Sequence, residues 1–454
     1  KWPRLAELCE SENVEATVIG RYVPTGQLTL MYHGTVVADL AMHFLHEGRP
    51  KVRRQATYQP RPAEPLAANP KSEIRNPKSR LAEITDCNGT LLKLLASPNI
   101  ASKEWVIRQY DHEVQGGSVI KPLVGVGNDG PSDAAVLRPV LSSRRGIVIA
   151  CGMSPRFGDY DTYHMAASSI DEAVRNCVAV GADPSRIAIL DNFCWGYTDR
   201  PATLGSLVRA SLACYDAATA LGTPFISGKD SLNNEYSYVA GGVRKTIQIP
   251  PSLLISAIGQ VPDVSRCVTM DFKLPGDLIY LVGLTRDELG GSHLALVEGM
   301  TGGRVPTVDL PQAKSTFAAL HAGISQGLVR ACHDLCEGGL AVALAEMAFA
   351  GNCGARVRLS EVATDTATQQ RSDSFDIVLL FSESNTRFLV EVPPAKRAAF
   401  ESALTGVPLA HIGEVTDTGR VQIAPTPGSG NGEEWLIDLP IGELKQAWQR
   451  TLLW

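Results

Sequence analysis

Hydrophobic residues recur with helical spacing between positions 163 and 180. The pattern predicts a helix that starts at Tyr163 and is closed by Gly181, with Pro184 preventing its continuation. Its apolar positions fall on one arc and form the expected core face: Ala166, Ala167, Ile170, Ala173, Val174, Cys177 and Val178. Asp171 and Arg175 lie on the opposite side as an i,i+4 pair, which predicts contact with solvent.

A second polar pair, Glu172 and Asn176, lies at the edge of this core face. Its neighbours on that side are the small residues Ser168, Ser169 and Ala179, whereas a freely exposed face usually carries charged side chains. We therefore expect a helix packed on more than one side, with Glu172 and Asn176 at a crevice. Carboxylate and amide oxygens bind hard cations, although a hydrogen-bonded structural pair would have the same spacing.

Elsewhere short apolar runs alternate with helical patterns. The apolar runs predict strands at 146–150, 186–193, 224–227, 252–261, 278–282, 328–331, 356–359 and 388–392. Helical periodicity predicts helices at 90–96, 103–110, 204–221, 313–325, 339–351 and 396–404. This alternation is typical of a fold that mixes α+β and α/β organisation.

An internal repeat links the two ends of the chain. Residues 19–28 align with 412–421, and further on 37–40 match 436–439. Two matches in the same order make chance similarity of short β-segments the weaker explanation. A repeat separated by so long a stretch indicates a whole module rather than a small solenoid unit.

The repeat divides the chain into four predicted parts. They are the tail of a first module at 1–46, a linker at 47–85, and the N-terminal and C-terminal domains of a second module at 86–270 and 271–454. Within the tail, patterns predict a helix at 2–10 and strands at 16–20, 27–32 and 35–40. The linker is rich in Pro, Arg and Lys, which is typical of a solvated tether. Because the chain starts at Lys1 in mid-pattern, we expect a fragment.

Composition places the chain among ordinary globular proteins of two or three domains, with 454 residues, 44% hydrophobic and 20% charged. A net charge of -6 argues against general binding to nucleic acid or anionic membranes. No apolar run approaches the roughly 18 residues that span a bilayer. The ten cysteines are scattered, which favours reduced thiols and a cytoplasmic location. Cys332, His333 and Cys336 lack a second ligand pair, so zinc is not expected.

A glycine-rich opening at 124–139 carries two carboxylates, Asp129 and Asp133. Such loops let the backbone approach a metal–phosphate group closely, although plain turns have a similar composition.

The pair Gly228 and Lys229 resembles part of a P-loop. However, five residues rather than four separate it from Gly222, and Asp230 follows the lysine where Ser or Thr is required. A true P-loop is therefore not expected. A strand that runs into a loop with Gly, Lys, Asp and Ser can still present N–H groups and a cation to phosphate.

A third candidate lies at 333–351, HDLCEGGLAVALAEMAFAG. Gly338 and Gly339 stand where the helix starts, so N–H groups and the helix dipole could face an anion, and Asp334 lies just upstream. A tight turn between strand and helix explains the same glycines and is the simpler interpretation. His333 alone is more typical of a structural residue than of a ligand.

Several separated segments agree on one family: GNDGPSDAAVLRP, DEAVRN, ILDNFCWG, TPFISGKDSLNNE and HDLCEGGLAVALAEMAFAG. In this order they resemble the synthetase part of formylglycinamide ribonucleotide amidotransferase, also called phosphoribosylformylglycinamidine synthase or PurL. The resemblance implies tandem aminoimidazole ribonucleotide synthetase-like (PurM-like) modules, each with an N-terminal nucleotide-binding domain and a C-terminal domain. It assigns this chain to the C-terminal half of the synthetase part.

The resemblance also implies roles for individual positions. The magnesium ligands of the longer members fall on Asp133, Glu172, Asn176 and Asp334. Positions that contact nucleotide fall on Ser132, Asp191, Gly228 and Cys336, and a substrate contact falls on Ser231. Cys336 stands where the family usually has Ser. Lys229 stands where shorter members have a metal-binding Asn, and since a protonated lysine cannot ligate magnesium, its implied contact is with phosphate.

The resemblance implies a reaction in which ATP phosphorylates the amide oxygen of formylglycinamide ribonucleotide. Ammonia, made from glutamine by a glutaminase domain or subunit, then displaces phosphate to give the amidine. ATP or ADP and Mg²⁺ are the implied cofactors, and the first PurM-like half and the glutaminase are the implied partners. The family's catalytic His belongs to the first module, so we assign no catalytic residue and expect the fragment alone to be inactive.

Two other functions stay open. The chain could be a non-catalytic scaffold half that binds nucleotide and magnesium. It could also belong to another enzyme of the superfamily, such as a selenophosphate synthetase or a small-molecule kinase. The absence of a reactive Cys in the glycine-rich opening, and the segments GKDS and DEAVRN, argue against that last alternative.

Overall fold

The computed structural model describes residues 1–62, 64–74, 78, 80–369, 374–427 and 434–453. The chain divides into two units, Lys1–Gln55 and Ala56–Trp454. Some positions of the predicted linker, 63, 75–77 and 79, lie outside the described residues.

The first unit contains a helix, a hairpin and a second helix. Its elements are α1 (Trp2–Ser11), β1 (Gln27–Tyr32), β2 (Thr35–Ala41) and α2 (Met42–Glu47). The predicted helix and these two strands are confirmed. Residues 16–20, by contrast, form no strand, because the unit offers them no partner for backbone hydrogen bonds.

The second unit contains two sheets covered by helices. Its first group of elements comprises β3 (Ala67–Ala68), α3 (Cys87–Leu95), α4 (Glu104–Ile107), β4 (Ser118–Ile120), β5 (Leu123–Val124), β6 (Gly130–Pro131), β7 (Ala135–Leu137), β8 (Gly146–Gly152), α5 (Thr162–Ala179), β9 (Ala188–Cys194), α6 (Pro201–Leu221), β10 (Phe225–Ser231), β11 (Glu235–Ala240), β12 (Val243–Gln248) and β13 (Ser252–Val261). Six strands form a sheet in the order β10-β9-β13-β8-β7-β4. The β10–β9 pair is parallel and the other pairs are antiparallel.

The second group of elements follows residue 270. It comprises β14 (Leu278–Val282), α7 (His293–Val297), β15 (Met300–Thr301), α8 (Leu310–Ser325), β16 (Ala331–Asp334), α9 (Gly339–Gly351), β17 (Gly354–Arg358), α10 (Thr366–Gln369), α11 (Phe375–Phe381), β18 (Phe388–Val392), α12 (Arg397–Ala403), β19 (Leu409–Thr416), β20 (Arg420–Ala424), β21 (Ile437–Pro440) and α13 (Ile441–Arg450). Seven strands form a sheet in the order β16-β18-β14-β19-β17-β20-β21. Every residue of β18 is buried, so neither face of that strand is in contact with solvent.

Most predicted elements of the second unit are present, with ends that move by a few residues. The strands β13, β14 and β18 match their predicted bounds, and β16 starts three residues later than predicted. The short helix α11 was not predicted, because a segment of seven mostly apolar residues is too short to show a clear periodicity.

Helix α5 lies between the two sheets of the second unit. It packs against β8 and β13 of the first sheet, against β16 of the second sheet and against the helices α6 and α8, and 15 of its 18 residues are buried. The predicted packing on more than one side is confirmed. The predicted solvent contact of Asp171 and Arg175 is wrong, because both side chains are buried and are paired within the core.

The strand register agrees with the internal repeat. In the first unit Leu28 pairs with Leu40, and in the second unit the aligned residues Val421 and Leu439 pair in the same way. A helix follows the second strand in both cases. In the second unit the counterpart of residues 16–20 is β19, which is held between β14 and β17.

Residues 56–62 and 64–69, here called the strap, are mostly exposed but make specific contacts with the rest of the second unit. The backbone N–H of Thr57 donates to the carbonyl of Pro201 at 2.9 Å, at the start of α6. Further along, the guanidinium of Arg61 donates to the carbonyl of Asp159 and stacks on the ring of Tyr160, 4.5 Å from its centroid.

The strap then reaches the second group of elements. Gly303 donates its N–H to the carbonyl of Glu64, β3 pairs with β15, and Asn69 donates its N–H to the carbonyl of Gly299. Arg61 and several backbone groups of the strap therefore have specific partners, which composition alone does not reveal. The interpretation of 47–85 as a linker stays a prediction.

All ten cysteines are free thiols. Among the helices of the described ranges, none is both long and apolar enough to cross a bilayer.

We predict that Gly205→Ala destabilises the protein. In a helix interior this change normally stabilises by about 1 kcal/mol, but a Cβ at position 205 would overlap the carbonyl oxygen of Thr57. The strap must then lift from α6. Urea denaturation and chymotrypsin cleavage after Tyr58 would report the two effects.

The matched control is Gly442→Ala in α13, where a Cβ would have no neighbour within 4 Å. We expect this variant to be as stable as the parent or slightly more stable. Equal stability and equal protease cleavage of the two variants would show that the strap does not pack closely against α6.

Candidate functional site

The predicted magnesium ligands come from three parts of the second unit. Asp133 lies between β6 and β7, Glu172 and Asn176 lie on α5, and Asp334 ends β16. The packing of α5 against β16 brings these segments together although they are far apart in sequence.

Asp133 is held by the HD segment at the end of β16. Its Oδ1 accepts hydrogen bonds from Nδ1 of His333 at 2.8 Å and from the backbone N–H of Asp334 at 2.9 Å. Its Oδ2 is buried and has no hydrogen-bond partner among the described residues. Buried polar atoms usually have partners, so one oxygen of Asp133 is anchored and the other is left for a ligand.

Asp334 has one oxygen held firmly and one held weakly. Its Oδ2 accepts from Nε of Arg175 at 3.0 Å, and its Oδ1 lies 3.9 Å from the thiol of Cys336. Burial raises the pKa of Asp334 to about 6, although the charge of Arg175 opposes this shift.

Arg175 bridges two buried carboxylates. Besides Asp334, its guanidinium donates to Oδ2 of Asp171, and Asp171 in turn accepts from the hydroxyl of Thr386 at 2.5 Å and from its backbone N–H at 3.0 Å. Burial disfavours the charge on Arg175, but Asp334 and Asp171 more than offset this effect and raise the pKa of the guanidinium. The arginine is thus a fixed positive charge behind Asp334.

The α5 pair is anchored to the end of β8. Oε2 of Glu172 accepts from the N–H of Met153 at 2.8 Å, and Nδ2 of Asn176 donates to the carbonyl of Cys151 at 3.1 Å. Oδ1 of Asn176 is buried without a partner in the part of the chain that the structure describes. Burial raises the pKa of Glu172 well above its usual range, and the nearby charge of Glu337 adds to this.

Each of the four predicted ligands therefore has one polar atom tied to the protein. In Asp133 and Asn176 the second oxygen is buried without a partner among the described residues, whereas Oδ1 of Asp334 accepts only a long hydrogen bond from the thiol of Cys336. This arrangement fits a hard cation such as Mg²⁺, which prefers carboxylate and amide oxygens. Two groups of potential ligand atoms, each within 4.8 Å, meet here: Asp133 with His333 and Asp334, and Glu172 with Cys336 and Glu337. The contact between Asp334 and Cys336 joins them.

The structure does not bring the other predicted residues to this cluster. Asp191 lies on β9, and Gly228, Lys229 and Ser231 lie on β10, at the edge of the six-stranded sheet. No hydrogen bond or ion pair between described residues links them to Asp133 or Asp334. Ser132 is adjacent to Asp133, but its hydroxyl donates to the carbonyl of Ala134 at 3.0 Å.

The prediction that the strand ends at 227 and that Gly228 begins a loop is wrong. β10 continues to Ser231, because its backbone pairs in parallel with β9 as far as Cys194. Gly228 lies opposite Asp191, so close that a Cβ would overlap the carboxylate, and the ammonium of Lys229 donates to the hydroxyl of Ser231. Close packing against Asp191 thus explains the glycine without a ligand.

A cavity adjoins the cluster and contains residues that the motifs did not indicate. The residues that line it include Glu172, Arg175, Cys336 and Glu337 from the cluster, and Asn99, Met153, Ser154, Pro155, Arg156, Phe157, Gly291, His293, Glu383 and Asn385.

Glu383 organises the far wall of the cavity. Its Oε1 lies 3.2 Å from Nδ1 of His293, whose Nε2 accepts from the amide of Asn99 at 3.0 Å. The same Oε1 accepts the N–H of Gly338, so a carboxylate of the protein occupies the start of α9 where an anion was considered. No short motif contains these three side chains, because they come from distant segments.

We predict that Arg175→Met lowers the free energy of unfolding by about 3–5 kcal/mol, because it leaves two buried carboxylates without their cation. Urea denaturation would measure the loss. Arg209→Met, which breaks the partly exposed pair with Asp161, is the control and is expected to cost about 1 kcal/mol or less. Equal losses would contradict the central role of Arg175.

Two protein-domain families match the chain. The AIR synthase related protein, N-terminal domain, matches residues 131–260, and the AIR synthase related protein, C-terminal domain, matches residues 275–424. Together they cover more than half of the chain.

Named relatives match almost all of it. The phosphoribosylformylglycinamidine synthase subunit PurL of Anaeromyxobacter sp. (strain Fw109-5) is 34% identical over 455 residues, covering 98% of this chain and 54% of the relative. The subunit of the same name from Thermosynechococcus vestitus is 35% identical over 409 residues, covering 88% of this chain and 50% of the relative. The chain therefore spans about half the length of these relatives.

Solved structures show the same fold. T. maritima PurL complexed with FGAR matches with a TM-score of 0.59 and 18% identity, covering 81% of this chain and 54% of that chain. T. maritima PurL complexed with ATP matches with a TM-score of 0.58 and 16% identity, covering 82% and 53%. The predicted mixed fold with PurM-like organisation is confirmed.

Proposed function

Since the chain belongs to the AIR synthase related protein family and is a relative of PurL subunits, we propose that it is the C-terminal half of the synthetase part of a phosphoribosylformylglycinamidine synthase. The whole enzyme would convert formylglycinamide ribonucleotide, ATP and glutamine-derived ammonia to formylglycinamidine ribonucleotide, ADP and phosphate. In this proposal residues 86–270 and 271–454 are the two domains of the second PurM-like module, and residues 1–46 are the tail of the first.

One observation carries the assignment of a nucleotide–magnesium site to this half. Four residues that the resemblance marks as magnesium ligands each have one polar atom anchored by the protein, and in Asp133 and Asn176 the second oxygen is buried with no partner among the described residues. A structural role alone would not require such unpaired atoms. Magnesium bound there would neutralise phosphoryl charge.

The residues of this chain would hold and shield the nucleotide. Asp133, Asp334, Glu172 and Asn176 would supply oxygen ligands to the cation, and Cys336 and Ser132 are the implied nucleotide contacts nearby. Arg156 lines the adjoining cavity, and its Nε donates to the carbonyl of Gly291. The second site on β9 and β10, with Asp191, Gly228, Lys229 and Ser231, stays a prediction.

We place the first PurM-like half on the exposed face of the six-stranded sheet. Its cross-strand neighbours Ala188, Ile258, Ile149 and Ala135 form one apolar row. Ile149 is 44% exposed, whereas the opposite face of the sheet is covered by α5. Apolar surface of this kind marks protein interfaces, and half of the relatives' length lies outside this chain. A cytoplasmic location and a glutaminase partner belong to the same proposal.

A non-catalytic scaffold is the second candidate function. The side chains of Asp133 and Asp334 are almost completely buried, which favours a nucleotide that stays bound over one that is exchanged in every turnover.

Turnover can exclude the scaffold candidate and can contradict the proposed reaction. We expect the 454-residue chain, given ATP, Mg²⁺, formylglycinamide ribonucleotide and ammonium chloride, to release no ADP above background, whereas the full-length enzyme releases ADP and amidine. Substrate-dependent turnover by the 454-residue chain would exclude the scaffold. Absence of turnover by the full-length enzyme would contradict the proposed reaction.

We also predict that Glu172→Gln weakens magnesium-dependent ADP binding about tenfold or more, because it removes a ligand charge and keeps the volume. Calorimetry with and without Mg²⁺ would measure the change. Glu414→Gln is the control, since Glu414 is half exposed and pairs with Arg356 on the surface. Unchanged ADP affinity of the Glu172 variant would refute the metal assignment.

A further inference from the structure

A chain of three buried side chains ends at the candidate magnesium site. His333 on β16 places Nδ1 2.8 Å from Oδ1 of Asp133 and Nε2 3.0 Å from Oε2 of Glu346 on α9. His333 is 6% exposed, and the side chains of Asp133 and Glu346 are 1% and 13% exposed. We call this chain the Glu346–His333–Asp133 relay.

Both ring nitrogens of His333 are occupied by carboxylates. Each nitrogen is engaged in a hydrogen bond with a carboxylate, so neither has a lone pair free for a metal. A cation beside Asp133 and Asp334 would therefore be held by oxygen atoms, and His333 would lie behind its ligand.

The relay fixes which oxygen of Asp133 faces the site. Oδ1 is held by the imidazole and by the backbone N–H of Asp334, so rotation of the carboxylate is blocked, and Oδ2 is the oxygen for which the described residues provide no partner. Glu346 fixes the ring in turn, because its bond to Nε2 prevents the imidazole from flipping. A need for stability alone would be met as well by apolar side chains, because burying charged groups is costly.

The site contains a parallel arrangement that uses a different cation. Arg175 holds Oδ2 of Asp334, and Asp171 holds Arg175. In each aspartate, one oxygen is thus held by a basic side chain, His333 or Arg175. That side chain is in turn held by a second carboxylate.

We propose that His333 and Glu346 are positioning residues for the cation site, and that they act by orienting Oδ2 of Asp133 toward the metal. The inference rests on the proposed function, since it presumes that magnesium with a nucleotide binds there. Outer partners of ligand carboxylates and imidazoles commonly change metal affinity 10–100-fold.

The test uses two substitutions that each keep one of the two hydrogen bonds made by the histidine ring. The amide nitrogen of Asn can replace Nδ1, and that of Gln can replace Nε2, so His333→Asn keeps the donor to Asp133 and His333→Gln keeps the link to Glu346. We expect H333Q to weaken the magnesium dependence of ADP binding about 10–100-fold, and H333N to stay within a few-fold of the parent. Calorimetry on the 454-residue chain, with MgCl₂ and ADP as probes, measures both.

A second pair of variants keeps the test decisive if the histidine variants fold poorly. Gln at position 346 can donate to Nε2 of a neutral ring whose Nδ1–H stays on Asp133, whereas Ala removes the contact. We therefore expect Glu346→Gln to retain magnesium-dependent binding and Glu346→Ala to lose it by about tenfold. Asp376→Asn serves as a control for buried carboxylates outside the cluster, since Asp376 accepts hydrogen bonds from Thr426.

Thermal denaturation separates positioning from stability. A structural role predicts that H333N and H333Q lose affinity equally and in proportion to their loss of stability, as would Asp376→Asn. That result, or unchanged affinity of H333Q, would overturn the inference while the parent still binds Mg²⁺ and ADP. If the parent itself shows no magnesium-dependent binding, the proposed site is refuted and the inference falls with it.

Discussion

The buried ion pairs of Arg175 hold the candidate site together. One bond runs from α5 to Asp334 at the end of β16, and another runs through Asp171 to Thr386, just before β18. These contacts join the helix that flanks the first sheet to the edge of the second sheet. Because Glu172 and Asn176 are on the same helix, this docking also sets their place beside Asp334. Such charges are costly to bury singly, so the arrangement persists only with every partner present.

The sequence predicted the local features well because they depend on neighbouring residues. The bounds of α5 follow from its periodicity, and Glu172 and Asn176 could be placed at a crevice from the small residues around them. An i,i+4 pair of opposite charges has the same spacing on a surface as in a core. What distinguishes Arg175 is Asp334, which is remote in sequence, so the pattern alone predicted solvent.

The remaining differences have the same physical origin. Residues 228–231 look like a loop in composition but continue β10, because β9 offers backbone partners that the sequence does not show. The strap has the composition of a tether, yet Arg61 stacks on Tyr160 and β3 pairs with β15. We predicted no role for Glu346, Glu383 and His293, because the role of each depends on a partner in another segment. Motifs indicated the ligands, and tertiary contacts supplied the groups that hold them.

The strap has a consequence for the order in which the chain can fold. Its first contacts are with α6 and the segment before α5, but β3 must wait for β15, which is synthesised far later. During synthesis the strap is therefore complete long before its last partner exists, and a contact of such high sequence separation forms late. Docking of the strap would then be the last step in the assembly of the two sheets, because it requires that both have already folded.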